Sequence, residues 1–142
     1  MKELWKPVRS GENYEVSNLG QVRNSNTGRL VKPFVDRDQT YDRVQLCNNG
    51  RSRKVMVHTL VAEAFIGLKP DGMEIDHLNT NIHDNRACNL KYVTQEENRR
   101  NPLTIFNRST AAIRKAILSG KSQKEILRRI DNLKTLMYGN RI

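Results

Sequence analysis

The chain has 142 residues, a length that suits about one domain at the usual roughly 100–200 residues per domain. Hydrophobic residues make up only 37% of it and aromatics 6%, with a mean hydropathy of −0.72, so several small cores are expected in place of one deep core. The 25 Lys and Arg against 15 Asp and Glu leave a net charge of +10, which points to nucleic acid or another anionic surface; no run of 18 or more apolar residues exists, and Met1-Lys2-Glu3-Leu4-Trp5-Lys6 opens no apolar segment, so neither a membrane span nor a secretory signal is expected, and a cytoplasmic location is.

The charge is unevenly spread. Residues 1–55 carry +5, residues 56–98 carry −4 and residues 99–142 carry +9, so an acidic centre lies between two basic flanks. Basic arms that grip a polyanion, with carboxylates between them able to hold a cation, would produce this pattern; a merely basic surface would produce the total alone.

In chain order, the first 57 residues punctuate like a small antiparallel sheet. Asn18-Leu19-Gly20, Asn26-Thr27-Gly28 and Asn48-Asn49-Gly50 are turn signals between short alternating segments. Strands are expected at 14–17, 21–23, 30–34, 41–47 and 54–57, with Val44 and Leu46 opposite Arg43 and Gln45 on the two faces. From His58 the period becomes helical, because Leu60, Val61, Ala64 and Phe65 share a face and Gly67 can end the helix. The stretch from Asp76 to Asn89 is polar and rich in Asn, and reads as a long loop. Leu90-Lys91-Tyr92-Val93 reads as a strand, and Thr94 with Glu97 is a capping box opening a helix. Asn101-Pro102 is a boundary. Beyond it helices are expected at 109–119, at 123–130 behind the capping box Ser122-x-x-Glu125, and at 132–138. Cys47 and Cys88 have no metal-ligand or disulfide spacing and are expected as reduced, partly buried thiols.

All three histidines, His58, His77 and His83, fall in one 26-residue window with Asp76, and Asp84, Asn85, Asn89 and Asn98 follow within the next 15 residues. Hydrolysis of a phosphodiester needs a base to take a proton from water and a hard cation to offset charge on the phosphate, and Asp76-His77 supplies both residue types. Neighbours on a regular strand point to opposite faces, so the strand is expected to stop at or near His77. On residue chemistry alone the pair could be incidental on a surface loop; the spacing to Asn89 and Asn98 favours catalysis. His58, opening an apolar helix, is expected to be packed and hydrogen-bonded, whereas His83 stays open between a solvated loop residue and a phosphate contact.

Ile75-Asp76-His77, Asn85-Arg86-x-x-Asn89-Leu90-Lys91-Tyr92-Val93-Thr94 and Asn98 together resemble the HNH endonuclease motif. Trp5-Lys6-Pro7-Val8 and Tyr14-Glu15-Val16-Ser17-Asn18-Leu19-Gly20-Gln21-Val22-Arg23 resemble the nuclease-associated modular motif found ahead of HNH in phage and intron homing endonucleases, and Val57 to Phe65 is similar to the segment joining the two. The resemblance covers about the first 100 residues. It implies an α+β chain in three parts: a small antiparallel β module at 1–57 that binds DNA, a ββα-metal (His-Me finger) core at 58–101, and basic helices at 102–142. It further implies that His77 is the general base, that Asp76 and Asn98 are metal ligands, and that Asn89 belongs to the catalytic motif by pinning the loop, without touching the metal. Oxygen ligands suit one Mg²⁺ or Mn²⁺ per active site better than Zn²⁺. No small-molecule cofactor is expected, and the host cell is bacterial if the gene is phage-borne. Asn79-Thr80-Asn81 departs from the Asp-Gly-Asn type of turn common in the family, and His83 is additional.

The expected partner is double-stranded DNA. Arg23, Lys32, Arg43, Arg51, Arg53 and Lys54 lie on or beside expected strands that would contact phosphates, with Asn24, Asn26 and Gln45 as base-edge readers. Arg86 is assigned to DNA with them. Arg114, Lys121, Lys124, Arg128 and Arg129 fall in helices that resemble the first two of a helix-turn-helix; the alternative is a basic hairpin that holds the backbone without reading sequence. The sequence reads as a metal-dependent DNA endonuclease nicking one strand per active site. A non-catalytic DNA-binding protein on the same scaffold is the rival, and monomer and homodimer both stay open.

Overall fold

The computed structural model describes residues 2–9, 13–35 and 41–138 and divides into two compact units, Met1–Thr94 and Gln95–Ile142. The first unit is built from three small antiparallel sheets and one helix. Strands β1 (Trp5–Pro7), β2 (Tyr14–Ser17) and β3 (Val22–Asn24) form the first sheet, with Val16 opposite Val22 and Lys6. The turn between β2 and β3 closes on Ser17, whose Oγ accepts from the backbone N–H of Leu19 (3.2 Å) and Gln21 (3.1 Å), while Gly20 takes a φ of +87°. Strands β4 (Arg43–Asn48) and β5 (Arg51–Met56) pair along their whole length. Their two-residue connection, Asn49-Gly50, has φ of 48° and 75°, the sign that matches the twist of a tight hairpin.

Helix α1 (Val57–Phe65) follows β5 without a linker. It buries Val57, Leu60, Val61 and Ala62, and ends where Ile66 and Gly67 both donate backbone N–H to the carbonyl of Ala62. Strands β6 (Met73–His77) and β7 (Leu90–Thr94) form the third sheet, joined by residues 78–89, which end in a single 3₁₀ turn at Ala87–Asn89.

The fold is α+β, with antiparallel strands at the N-terminus and helices at the C-terminus. The expectation of several small cores is corrected: one buried cluster runs from Val8 through Val16, Val22, Val44 and Leu46 to Leu60, Val61 and Leu90. The three sheets are separate in hydrogen bonding yet share it, because α1 offers each of them part of one apolar face. Full burial of each such side chain contributes about 1.5–3 kcal/mol.

The expected strand at 30–34 is reduced to two isolated bridges, Arg23 with Leu30 and Phe34 with Arg43. Pro33 lacks the N–H that a ladder needs. The thiols of Cys47 and Cys88 are exposed, not partly buried. Cys47 stands on the outward face of β4, alternating with buried Val44 and Leu46.

In the second unit, α2 (Gln95–Arg100) follows β7 directly, and α3 (Pro102–Leu118) opens on Pro102, seven residues before the expected start. Proline suits the first helical position, where no N–H partner is required. Helix α4 (Gln123–Tyr138) is continuous through Asp131-Asn132, so the expected third helix is part of it. Ile126, Ile130 and Leu133 keep one half-buried stripe across that point, and two polar residues do not interrupt it. Among the described residues the region after Asn101 is therefore a pair of helices, not three. No described helix is long and apolar enough to cross a membrane.

Candidate active site

Asp76 and His77 are the last two residues of β6 and are only 8% and 4% exposed. The strand stops there because residues 78–89 satisfy their polar groups among themselves. Asn89 is the main tie. Its Nδ2 donates to Asn79 Oδ1 (2.9 Å) and to the carbonyl of Asp84 (2.8 Å), and its Oδ1 accepts from the Asn79 backbone N–H (3.0 Å). One amide thus clamps both arms of the loop, as a group with both donors and an acceptor can. Thr80 sits at a φ of 62° with its N–H on the His77 carbonyl.

Asp84 continues the clamp. It accepts from Asn79 Nδ2 at 2.7 Å and receives a two-pronged ion pair from Arg86 at 2.7 and 2.6 Å. Arg86 pulls the Asp84 carboxyl down to about 2, and the bond from Asn79 adds to this. Arg86, assigned to DNA from sequence, is exposed but its guanidinium is also the counterion of the loop.

The His77 ring is enclosed by groups from three segments. Tyr41 stacks on it with ring centroids 6.2 Å apart and planes 19° apart, and His58 meets it edge-on at 5.3 Å. Its Nε2 lies 3.4 Å from Oδ1 of Asn85. Asn85 is held in turn by Asp42, which also pairs with His83. Burial lowers the pKa of His77, against opposing influences from Asn85, Asp76, Asp84 and Asp42, so the ring is neutral and able to accept a proton near neutral pH. His58 is lowered further, to about 4, by burial and by His77 beside it. It is packed as expected, but its Nδ1 has no hydrogen-bond partner among the described residues.

Asp76, His77 and Asn89 thus lie in one unit, around one loop. Asn98 is half-buried on α2, in the second unit, four residues after the end of β7. Among the described residues no three His, Cys, Asp or Glu side chains form a metal-holding group. A cation held by the Asp76 carboxylate would take its remaining ligands from substrate and water. That all-oxygen donor set fits a hard divalent ion, and both thiols are exposed elsewhere.

The residues assigned to DNA divide by exposure. Lys32, Arg51, Arg53 and Lys54 are exposed, the last three in sequence along β5. Arg43 is half-buried. Arg23 is occupied, stacked 4.1 Å over the Trp5 ring and paired with Glu15 at 2.7 Å. Asn24 spends its side-chain oxygen on Asn26 and Thr27 within its own turn. In the second unit Arg114, Lys121, Lys124 and Arg128 are exposed, while Arg128 and half-buried Arg129 share Glu125. Tyr41 and Asp42 were missed from sequence, and Asn85 was read as motif without a role. The partner of Asn85 lies 43 residues away, where no local spacing points.

A strand closing on Asp-His, a self-pinned loop, a return strand and a helix continuing from it define the ββα nuclease class. The HNH endonuclease family matches residues 55–100, and the NUMOD4 motif matches residues 3–47. The DNA endonuclease I-HmuI of Bacillus phage SP01 is 34% identical over 126 residues, 87% of this chain and 70% of that protein. An uncharacterized HNH endonuclease, L245, of Acanthamoeba polyphaga mimivirus is 33% identical over 104 residues, 73% of this chain and 31% of that protein. A solved structure described as DNA binding and cleavage by the HNH homing endonuclease I-HmuI superposes with a TM-score of 0.64 at 31% identity, over 82% of this chain and 68% of that one. The chain belongs to the HNH homing endonuclease family and is a DNA endonuclease. HNH endonucleases generally use divalent metal ions.

Proposed function

We propose that the chain hydrolyses one strand of double-stranded DNA per active site with one Mg²⁺ or Mn²⁺, His77 serving as general base and Asp76 with Asn98 as protein ligands of the ion. The observation that carries this reading is His77 itself: a buried imidazole at a strand end, its pKa lowered by burial, next in sequence to a buried carboxylate. His77 takes a proton from water as the oxygen attacks phosphorus, and the sugar oxygen leaves with its bonding pair. The ion, when bound, offsets the charge that grows on the phosphate and the departing oxygen. Asn89 and Asp84 keep the loop closed, and Tyr41 and His58 hold the imidazole plane. The exposed charges of β5 and of α3 and α4 supply phosphate contacts, and Gln45, exposed on β4, is a candidate base reader.

The test is cleavage of supercoiled plasmid and of a phage-genome digest with and without Mg²⁺ or Mn²⁺, for wild type and His77→Ala. Relaxed circles that need the ion and fall by about 10²–10⁴ in rate in the variant are the expected outcome. Linear product from the first turnover would overturn single-strand nicking. Metal-independent cleavage, or full activity of His77→Ala, would overturn the mechanism.

A further inference from the structure

We propose that Asn85 and Asp42 form a positioning pair that fixes the proton of the His77 imidazole on Nε2 and so assigns the basic lone pair to Nδ1. This rests on His77 being the general base. The argument starts at the amide of Asn85, a buried side chain. Its Nδ2 lies 2.9 Å from Asp42 Oδ2 and 3.4 Å from the carbonyl of His83. A carboxylate and a backbone carbonyl can only accept, so the nitrogen of the amide must face them. The oxygen then faces His77, 3.4 Å from Nε2. An oxygen acceptor there is matched only by a ring nitrogen that carries hydrogen, and the hydrogen bond made by one imidazole nitrogen sets the state of the other. Turning the amide over would place donor against donor at Nε2's proton and oxygen against oxygen at Asp42.

Each member is held from more than one side. Asp42 Oδ1 accepts from His83 Nδ1 at 3.0 Å, which orients the carboxylate and gives the additional histidine a use. The backbone of Asn85 is seated against the turn between β2 and β3. A Cβ at Gly20 would come within 3.1 Å of the Asn85 Cβ and 3.3 Å of its carbonyl, and the Ala87 N–H donates to the Asn18 carbonyl at 2.9 Å. Tyr41 and His58 box the ring itself. Part of what orients the catalytic histidine thus comes from residues 18–20 and 41–42, outside the segment that matches the HNH endonuclease family.

The first measurement is ¹⁵N NMR of the His77 ring in the full chain, without DNA or metal, at about pH 8, above the ordinary imidazole value of roughly 6.5. The expected spectrum shows the Nε2–H tautomer. In Asn85→Ala and Asp42→Asn the tautomer should become mixed, and kcat for nicking should fall about 10- to 100-fold with KM for DNA unchanged, the size of loss typical when the group orienting a histidine is removed. An Nδ1–H tautomer in the wild type would overturn the proposal. So would an Asn85→Ala protein that keeps both the tautomer and kcat. A His77→Ala enzyme that still cleaves would sink the general-base reading instead, and the wild-type spectrum separates that result from a failure of the pair.

Discussion

His58 and His77 share an edge-to-face contact, yet only His58 leaves a ring nitrogen buried without a partner. With a folded value of about 4 against an ordinary 6.5, His58 is neutral in the native chain at pH values where the unfolded chain has bound a proton. Stability is therefore complete above about 6.5 and declines as the pH falls towards 4, by at most about 3 kcal/mol from this residue. Urea unfolding of wild type and His58→Phe between pH 7 and 4.5 should show the slope reduced in the variant. Asn89 gives a second prediction. Asn89→Ala leaves the Asn79 N–H and the Asp84 carbonyl without partners, and should cost about 1–3 kcal/mol in the same assay while slowing DNA nicking. At this scale the grouping of Asp76, His77 and Asn89 around one loop was legible in the sequence, because they lie close together along the chain. The sequence concealed Asp42, whose contacts with His83 and Asn85 span 41 and 43 residues.

Among the elements, the hairpin of β4 and β5 was legible because its turn needs two positive φ angles and Asn-Gly supplies them. The break expected within α4 was not, since a continuous half-buried stripe outweighs two modest helix formers. The hairpin also carries a prediction. Arg51 and Arg53 share one face of the exposed strand β5, and Lys54 lies on the other, 5.3 Å from the Phe34 ring centre. If all three meet phosphates, the triple alanine variant should lower the slope of log K against log salt by about 2–3, since each contact contributes about 0.9. A slope unchanged from wild type in a fluorescence anisotropy titration would move the DNA path off this strand.

Across the whole molecule, composition misled in one respect. A chain poor in hydrophobes suggested scattered small cores, and the structure instead joins three sheets on one helix into a single cluster from Val8 to Leu90. Among the described residues the second unit has no comparable interior: Ala116 is its buried hydrophobic residue, and Leu118 is 80% exposed. Limited trypsin digestion under native conditions should therefore cut first within residues 99–142, where 11 Lys and Arg lie, and leave a protected fragment ending near Thr94 to Arg100. Early cuts within 43–54 would show that the shared cluster does not govern local stability.

The close approach of Gly20 to Asn85 bears on how such an enzyme can be re-engineered. The NUMOD4 segment at residues 3–47 looks like a detachable recognition cassette, but it contains both Gly20 and Asp42. If this segment reads the target and the Asn85–Asp42 pair orients His77, a graft of a foreign cassette onto this nuclease would change target choice and chemistry together unless the donor brings a glycine and a carboxylate to those two places. A chimera would then bind its new site and cleave it slowly, and restoring the two residues should recover the rate without altering the site chosen.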